Sequence, residues 1–274
     1  DGYRNHLTEA LPVLQKHGVP ATVFVSTGPV ESRTPFWFDR LDYALQQEGV
    51  DGRTVSIGRN HLRIDAGTRE RLVASYAALR ELAKAAPRDD REMCDELHAL
   101  AAGLEQEKGR RLVDILDADP WSAVLTVDEI RAAPPGLGFG SHTVDHLRLH
   151  RLDEQTIADQ LRRSKSDLES WTGQRCRFFC YPDGGFSAVA ATLVRQCGYD
   201  AAVTGVRGLN YAGDDPMTLR RIDVPVAGSA TELIADVSGL KDWLLAARAA
   251  LFKRSRDLQR SDGGAPGRSN APAS

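Results

Sequence analysis

The residues with the clearest chemistry are three histidines. His142, His146 and His150 recur at every fourth position in the stretch GFGSHTVDHLRLH, residues 138–150, and hold three of the chain's seven imidazoles. On one helical turn, residues four apart share a face with Cβ atoms about 5–6 Å apart. Neutral imidazoles so placed can share a divalent ion, and zinc is the commonest such guest. Glycines just before them let the backbone turn and approach a ligand. The same pattern also describes a surface turn that merely contains histidines. A third ligand and a scaffold able to deliver it are therefore the next things to look for.

The elements around that stretch alternate in type. Residues 7–17 have helical apolar spacing, closed by Gly18 and Pro20. Ala21 to Thr27 is β-branched and apolar, as a buried strand is. Residues 35–44 start an aromatic-rich helix. Residues 54–57 and 61–64 flank Gly58-Arg59-Asn60 as a small hairpin. Residues 68–116 are mostly helical, interrupted at Pro87, and form an inserted region. Thr126 with Glu129 reads as a capping box. Residues 136–141 form the strand that delivers His142. A helix over 153–171, a strand over 176–182, a helix over 188–197 and strands over 199–204 and 219–224 follow, the last ended by Pro225. A final helix covers about 231–258, with Lys253, Arg254 and Arg256 favourable at its negative end, and 261–274 has the composition of a disordered tail. Alternating strands and helices predict an α/β fold with mostly parallel strands. In such sheets chemistry gathers at the C-terminal strand ends. Asp1, His142 and Asp183 all fall there.

Composition bounds the rest. The chain has 274 residues, 42% hydrophobic and 27% charged, as a soluble globular protein has. A net charge of −3 argues against a general nucleic-acid binder, because neutralising many phosphates needs a basic surface. No apolar run reaches the roughly 18 residues of a membrane span. Cys94, Cys176, Cys180 and Cys197 form no Cys-x2-Cys pair. Cys176 and Cys180 would stand roughly 13 Å apart on one strand, too far to bridge. Buried thiols lean towards a reducing compartment, and the expected location is cytoplasmic. The chain opens on Asp1, and the strand that should precede the first helix is missing, so it reads as a fragment.

Four motifs in order carry a resemblance: Asp1-Gly2-Tyr3, GVPATVFV at 18–25, GSHTVDH at 140–146 and FCYPDG at 179–184. Together they resemble the polysaccharide deacetylases, the bacterial NodB-homology domains of carbohydrate esterase family 4, over residues 1–226. The resemblance implies an irregular (β/α) barrel of five or six strands, with a helical insertion at about 36–120 and a C-terminal helix at 227–260. It also implies a divalent metal, zinc by preference, on Asp1, His142 and His146, with open positions for water and substrate. Only two histidines belong to that pattern, which leaves His150 solvated. The general base falls immediately before Asp1, outside this sequence. Tyr181, Pro182, Asp183 and Gly184 are the implied substrate-binding loop. Two departures stand out. Cys180 occupies the place of an arginine that orients the base, for which Arg221 is the candidate substitute, and no histidine follows His150 to act as a late general acid.

The implied function is removal of N-acetyl groups from an acetylated glycan. The same site suits an O-acetyl esterase or a non-sugar amidase. A non-catalytic carbohydrate-binding or assembly subunit is the reading from a different class.

Overall fold

β-Branched and aromatic runs set the frame of the molecule, seen in a computed structural model that describes residues 1–85, 89–224 and 229–240. The expectations for Pro87, Pro225, the basic helix end at Lys253, Arg254 and Arg256, and the tail from 261 lie outside the described residues. The strands β1 (Ala21–Val25), β4 (Leu137–Ser141), β5 (Phe178–Cys180), β6 (Ala201–Arg207) and β7 (Leu219–Arg221) form one sheet in the order β1-β4-β5-β6-β7. A separate antiparallel hairpin, β2 (Thr54–Ile57) and β3 (Asn60–Arg63), is the one expected about Gly58. The pairs β1–β4, β4–β5 and β5–β6 are parallel, as the α/β pattern predicts. Register places Val25 beside Ser141 and Ser141 beside Phe179. The C-terminal ends of β1, β4 and β5 therefore lie side by side.

Helices fill the connections: α1 (Leu11–Lys16), α2 (Thr27–Ser32), α3 (Trp37–Leu45), α4 (Arg69–Ala85), α5 (Asp90–Lys108), α6 (Leu112–Ile115), α7 (Val127–Arg131), α8 (Glu154–Thr172), α9 (Ala188–Gln196) and α10 (Ala230–Val237). Their starts are chemically marked. The Thr126–Glu129 capping box is formed, and Asp153 and Ser187 cap α8 and α9. Two expectations shift. The helix expected over 7–17 begins as a π turn, His6–Ala10, before α1 takes over. Pro12 has no N–H for an α-helical bond, and a wider turn before it accommodates that loss. The strand expected over 176–182 shortens to Phe178–Cys180, because the Cys176 N–H is taken by Glu169 Oε1 at 3.0 Å rather than by a neighbouring strand.

The described residues divide into two compact units, residues 1–205 with 214–219, and 206–213 with 220 onward. Within the first unit lie two large apolar cores. One joins the sheet to α8 and α9 through Val25, Leu125, Leu149, Leu161, Phe179 and Tyr181. The other belongs to the helical region and gathers Trp37, Leu41, Ile64, Leu79, Leu97 and Leu147. Each fully buried leucine of this kind is worth roughly 1.5–3 kcal/mol. Leu147 thus fills one core and Leu149 the other. Within the second unit, Arg207 pairs with the buried Asp236. Among the described residues no helix is long and apolar enough to cross a membrane.

Candidate metal centre

Backbone bonds bring Asp1 to the sheet. The Ser26 N–H donates to the Asp1 carbonyl at 3.2 Å, and the Leu125 N–H donates to the Gly2 carbonyl at 2.8 Å. Gly2 has φ +96°, and a Cβ there would approach Val25 Cγ1 to 3.1 Å, so a glycine is needed. His142 arrives from the neighbouring strand. Its N–H continues the ladder to Val25 O at 2.9 Å, and its carbonyl accepts from Ser26 Oγ at 2.9 Å.

Residues 142–148 are not helical, so the two histidines meet through a turn and not on one helical face. Thr143 (φ +68°) and His146 (φ +56°) are left-handed, and the turn curls back on itself. His tolerates that region better than a β-branched Thr does. The strain at Thr143, of order 1–3 kcal/mol, is held by its surroundings. The Thr27 and Gly28 N–H groups at the start of α2 donate to the carbonyls of Thr143 and Val144. Gln160 of α8 accepts from the N–H groups of Val144 and Asp145, both at 3.0 Å, and donates to the Asp145 carboxylate at 2.7 Å.

The outcome is a convergence. Asp1 Oδ1 stands 3.2 Å from His142 Nε2 and 3.5 Å from His146 Nε2. The two imidazoles lie 4.8 Å apart at 75°. Each of the three residues offers one ligand atom, all within 4.8 Å of one another. Two ligands about 2.0–2.1 Å from a tetrahedral centre would stand roughly 3.3 Å apart, so the donor set fits such an ion. His142 Nδ1 lies 2.6 Å from the Cys180 carbonyl. A proton on Nδ1 donated there leaves Nε2 unprotonated on the side that faces Asp1, the usual outer-shell control of a metal-binding imidazole. His146 sits against the edges of Phe36 and Phe38. Burial, the largest cause, lowers its pKa below the ordinary imidazole value. It is therefore neutral near pH 7, as a ligand must be.

His150 is exposed, with its ring against Gly185, and lies outside this cluster. Of the loop after β5, Tyr181 is a correction. Its side chain has no exposed surface and its hydroxyl donates to the Met217 carbonyl at 2.9 Å, so it offers no face to a sugar. Pro182 is buried as well. Asp183 has φ +57° and accepts from Lys84 Nζ at 2.7 Å. Gly184 has φ +72°, and a Cβ there would fall 2.4 Å from Gly205 Cα. Phe186, against Tyr181 and part-exposed, retains an open face. Arg175 and Arg177 both pair with Asp200. Arg221 is exposed in the second unit, where its carbonyl accepts from Gly208. No cysteine is in a disulfide.

Several neighbours of the centre escaped the sequence reading. The Tyr3 hydroxyl donates to Asp39 Oδ2 at 2.6 Å. Burial is the main cause that raises the Asp39 pKa to about 7, against the lowering effect of that bond. Asp90 and Arg148 form a buried ion pair beside His146. Of these only Tyr3 stands in a motif; Asp39, Asp90 and Arg148 belong to none of the four. An acid in a helix and an arginine after a histidine look like surface charge until the fold brings them together.

A family model described as polysaccharide deacetylase matches residues 125–202. A Bacillus subtilis (strain 168) protein named "Putative polysaccharide deacetylase YxkH" is 25% identical over 118 residues, which is 43% of this chain and 42% of that protein. The chain thus spans less than half the length of that curated relative. A Bacillus cereus polysaccharide deacetylase structure aligns at 20% identity and TM-score 0.39, covering 45% of this chain and 40% of that one. A de-N-acetylase from Aggregatibacter actinomycetemcomitans aligns at 14% identity and TM-score 0.44, covering 85% of this chain and 71% of that one.

Proposed function

We propose that this chain, which carries a polysaccharide deacetylase segment over residues 125–202, is a metal-dependent hydrolase that removes N-acetyl groups from a polysaccharide or oligosaccharide. The observation that carries the reading is the spacing of Asp1 Oδ1 from the Nε2 atoms of His142 and His146, both in the turn after β4. Asp1, His142 and His146 would hold a divalent ion, zinc by preference, which would supply an acidified water and polarise an acetyl carbonyl.

The chain's own residues supply the rest. The Cys180 carbonyl holds His142 in the tautomer that leaves Nε2 unprotonated, facing Asp1. Phe36 and Phe38 keep water from the edge of His146. Of the amides after Pro182, that of Gly184 is committed to the Tyr181 carbonyl at 2.9 Å. The proposed donors to a developing oxyanion are therefore the N–H groups of Asp183 and Gly185. The resemblance puts the proton acceptor one position before Asp1.

The test is acetate release by the complete gene product, supplied with Zn²⁺, from N-acetylglucosamine oligomers and in parallel from acetylated xylan. Release from the oligomers is the expected result. Release from xylan alone would move the assignment to an O-acetyl esterase. Protein that holds no metal and releases no acetate would overturn the hydrolase reading in favour of a non-catalytic role.

A further inference from the structure

We infer that Asp90, in the first turn of α5, is a positioning residue for the metal turn: through Arg148 it fixes the backbone that carries His146. The inference rests on the metal reading above and extends it to the helical region at 36–120.

The contacts are unusually complete. Asp90 Oδ2 accepts the Arg148 backbone N–H at 2.7 Å. Asp90 Oδ1 accepts from the guanidinium at 2.6 Å (Nε) and 2.5 Å (Nη2). The carboxylate is 1% exposed and the arginine side chain 10%. The third guanidinium contact, Nη2 to Met93 Sδ at 3.1 Å, also comes from α5. A carboxylate at the first turn of a helix is further favoured by the helix dipole. Buried pairs of this kind lose more than they gain if one partner is removed, so the geometry is held firmly.

Three further features say that the turn needs such a tie. His146 is left-handed and lies two residues before Arg148, so the chain must be held immediately after a conformation it does not favour. Leu147 enters the helical core while Leu149 enters the sheet core, which puts Arg148 at the crossing between them. Behind the turn lies a cleft of about 290 Å³, lined by Val144, Asp145 and Leu147 on one side and by Arg91, Cys94 and His98 of α5 on the other. Packing alone does not close that side. A second tie, Arg91 to Asp145 at 3.0 Å, crosses it but is half-exposed and therefore weak.

Helix α5 also provides a matched control. Glu105 is wholly buried, accepts from Arg40 Nε at 2.7 Å and takes the Leu112 backbone N–H at 2.9 Å. It has the same chemistry as Asp90, but it serves α3 and α6 rather than the metal turn.

The experiment compares Asp90→Ala, Asp90→Asn and Glu105→Ala with the parent protein. It measures melting of the metal-free form, Zn²⁺ affinity by competition with a chromophoric chelator, and the visible spectrum of the Co²⁺ form. Both alanine variants should melt earlier. Only Asp90→Ala should weaken Zn²⁺ binding, by about 10–100-fold as is usual for an outer-shell partner, and change the Co²⁺ spectrum. Asp90→Asn keeps an acceptor for the Arg148 N–H and should recover most of the affinity; it also serves if the alanine variant does not fold. Equal weakening in Asp90→Ala and Glu105→Ala, or none in either Asp90 variant, would overturn the inference. Parent protein that binds no Zn²⁺ would overturn the metal reading itself, a result distinct from both.

Discussion

After β4 the chain spends residues 142–148 in a turn with two left-handed non-glycine residues, Thr143 and His146; after β5 it spends 181–185 in a turn with one, Asp183. Both turns leave adjacent parallel strands at the same end. The first points side chains at a common centre and is tied by Gln160, the start of α2 and the buried Asp90–Arg148 pair. The second hides its largest side chain, Tyr181, and brings its backbone against Gly205. On the proposed function the two turns would offer a ligand different groups: imidazoles from one, main chain from the other. Strand ends in such a sheet supply chemistry, but the loop geometry decides which atoms do it.

The largest expected effect tests the first half of that contrast. Structural zinc sites release about 10–16 kcal/mol over their ligands, so one ligand of the set is worth roughly 3–4 kcal/mol, about 100–700-fold in affinity. His142→Ala or His146→Ala should therefore lower Zn²⁺ affinity by about that factor in a chelator competition. His150→Ala, which touches the other turn, should leave it within about twofold. Equal loss in all three would mean that the turn, rather than its two inward imidazoles, binds the metal.

The next effect tests the second half. Gly184→Ala places a Cβ 2.4 Å from Gly205 Cα at φ +72°, backbone against backbone. Strain and overpacking together should cost about 2–5 kcal/mol. Gly185→Ala has φ −82° and meets only the ring of His150, an exposed side chain that can swing aside. Its cost should stay below about 1 kcal/mol. Urea unfolding of the two variants reads the difference directly, and similar midpoints would remove the argument that the second turn works through its main chain.

The sheet, the hairpin, the Thr126 cap and the order of strand ends were legible in the sequence because each rests on local chemistry: β-branched runs, a glycine turn, a side chain three residues from its N–H. That Asp1, His142 and His146 come together was legible because motif order places Asp1 and His142 at strand ends, with His146 four residues on. The shape of the metal turn was not. Four-residue spacing suits a helix equally well, and it is the distant bonds from α2, Gln160 and Asp90 that settle the backbone. Tyr181 misled for a similar reason: an aromatic beside a loop looks open until the sheet core closes over it. Asp90 pairs with a residue 58 positions away, and no local pattern encodes such a contact.

The smallest effect asks whether the two turns are independent. Lys84 reaches from α4 to Asp183 at 2.7 Å, with side chains 21% and 40% exposed. Burial pushes the Asp183 carboxyl up, but the Lys84 hydrogen bond and charge, with Arg148 and His146 beyond, carry it below the ordinary carboxylate range. A depressed folded-state pKa contributes stability that is present above the ordinary value, near 4, and is lost as pH falls through the folded value. Lys84→Met should therefore destabilise by no more than about 1 kcal/mol at pH 7, as exposed pairs do. The difference from the parent should fade below about pH 4, and also in high salt. Zn²⁺ affinity should not move, because Asp183 lies outside the Asp1, His142, His146 cluster. A stability difference that grows in acid would reverse the sign assigned to Asp183. A loss of metal affinity would show instead that the main-chain turn and the side-chain turn act as one unit, with the helical region gripping both.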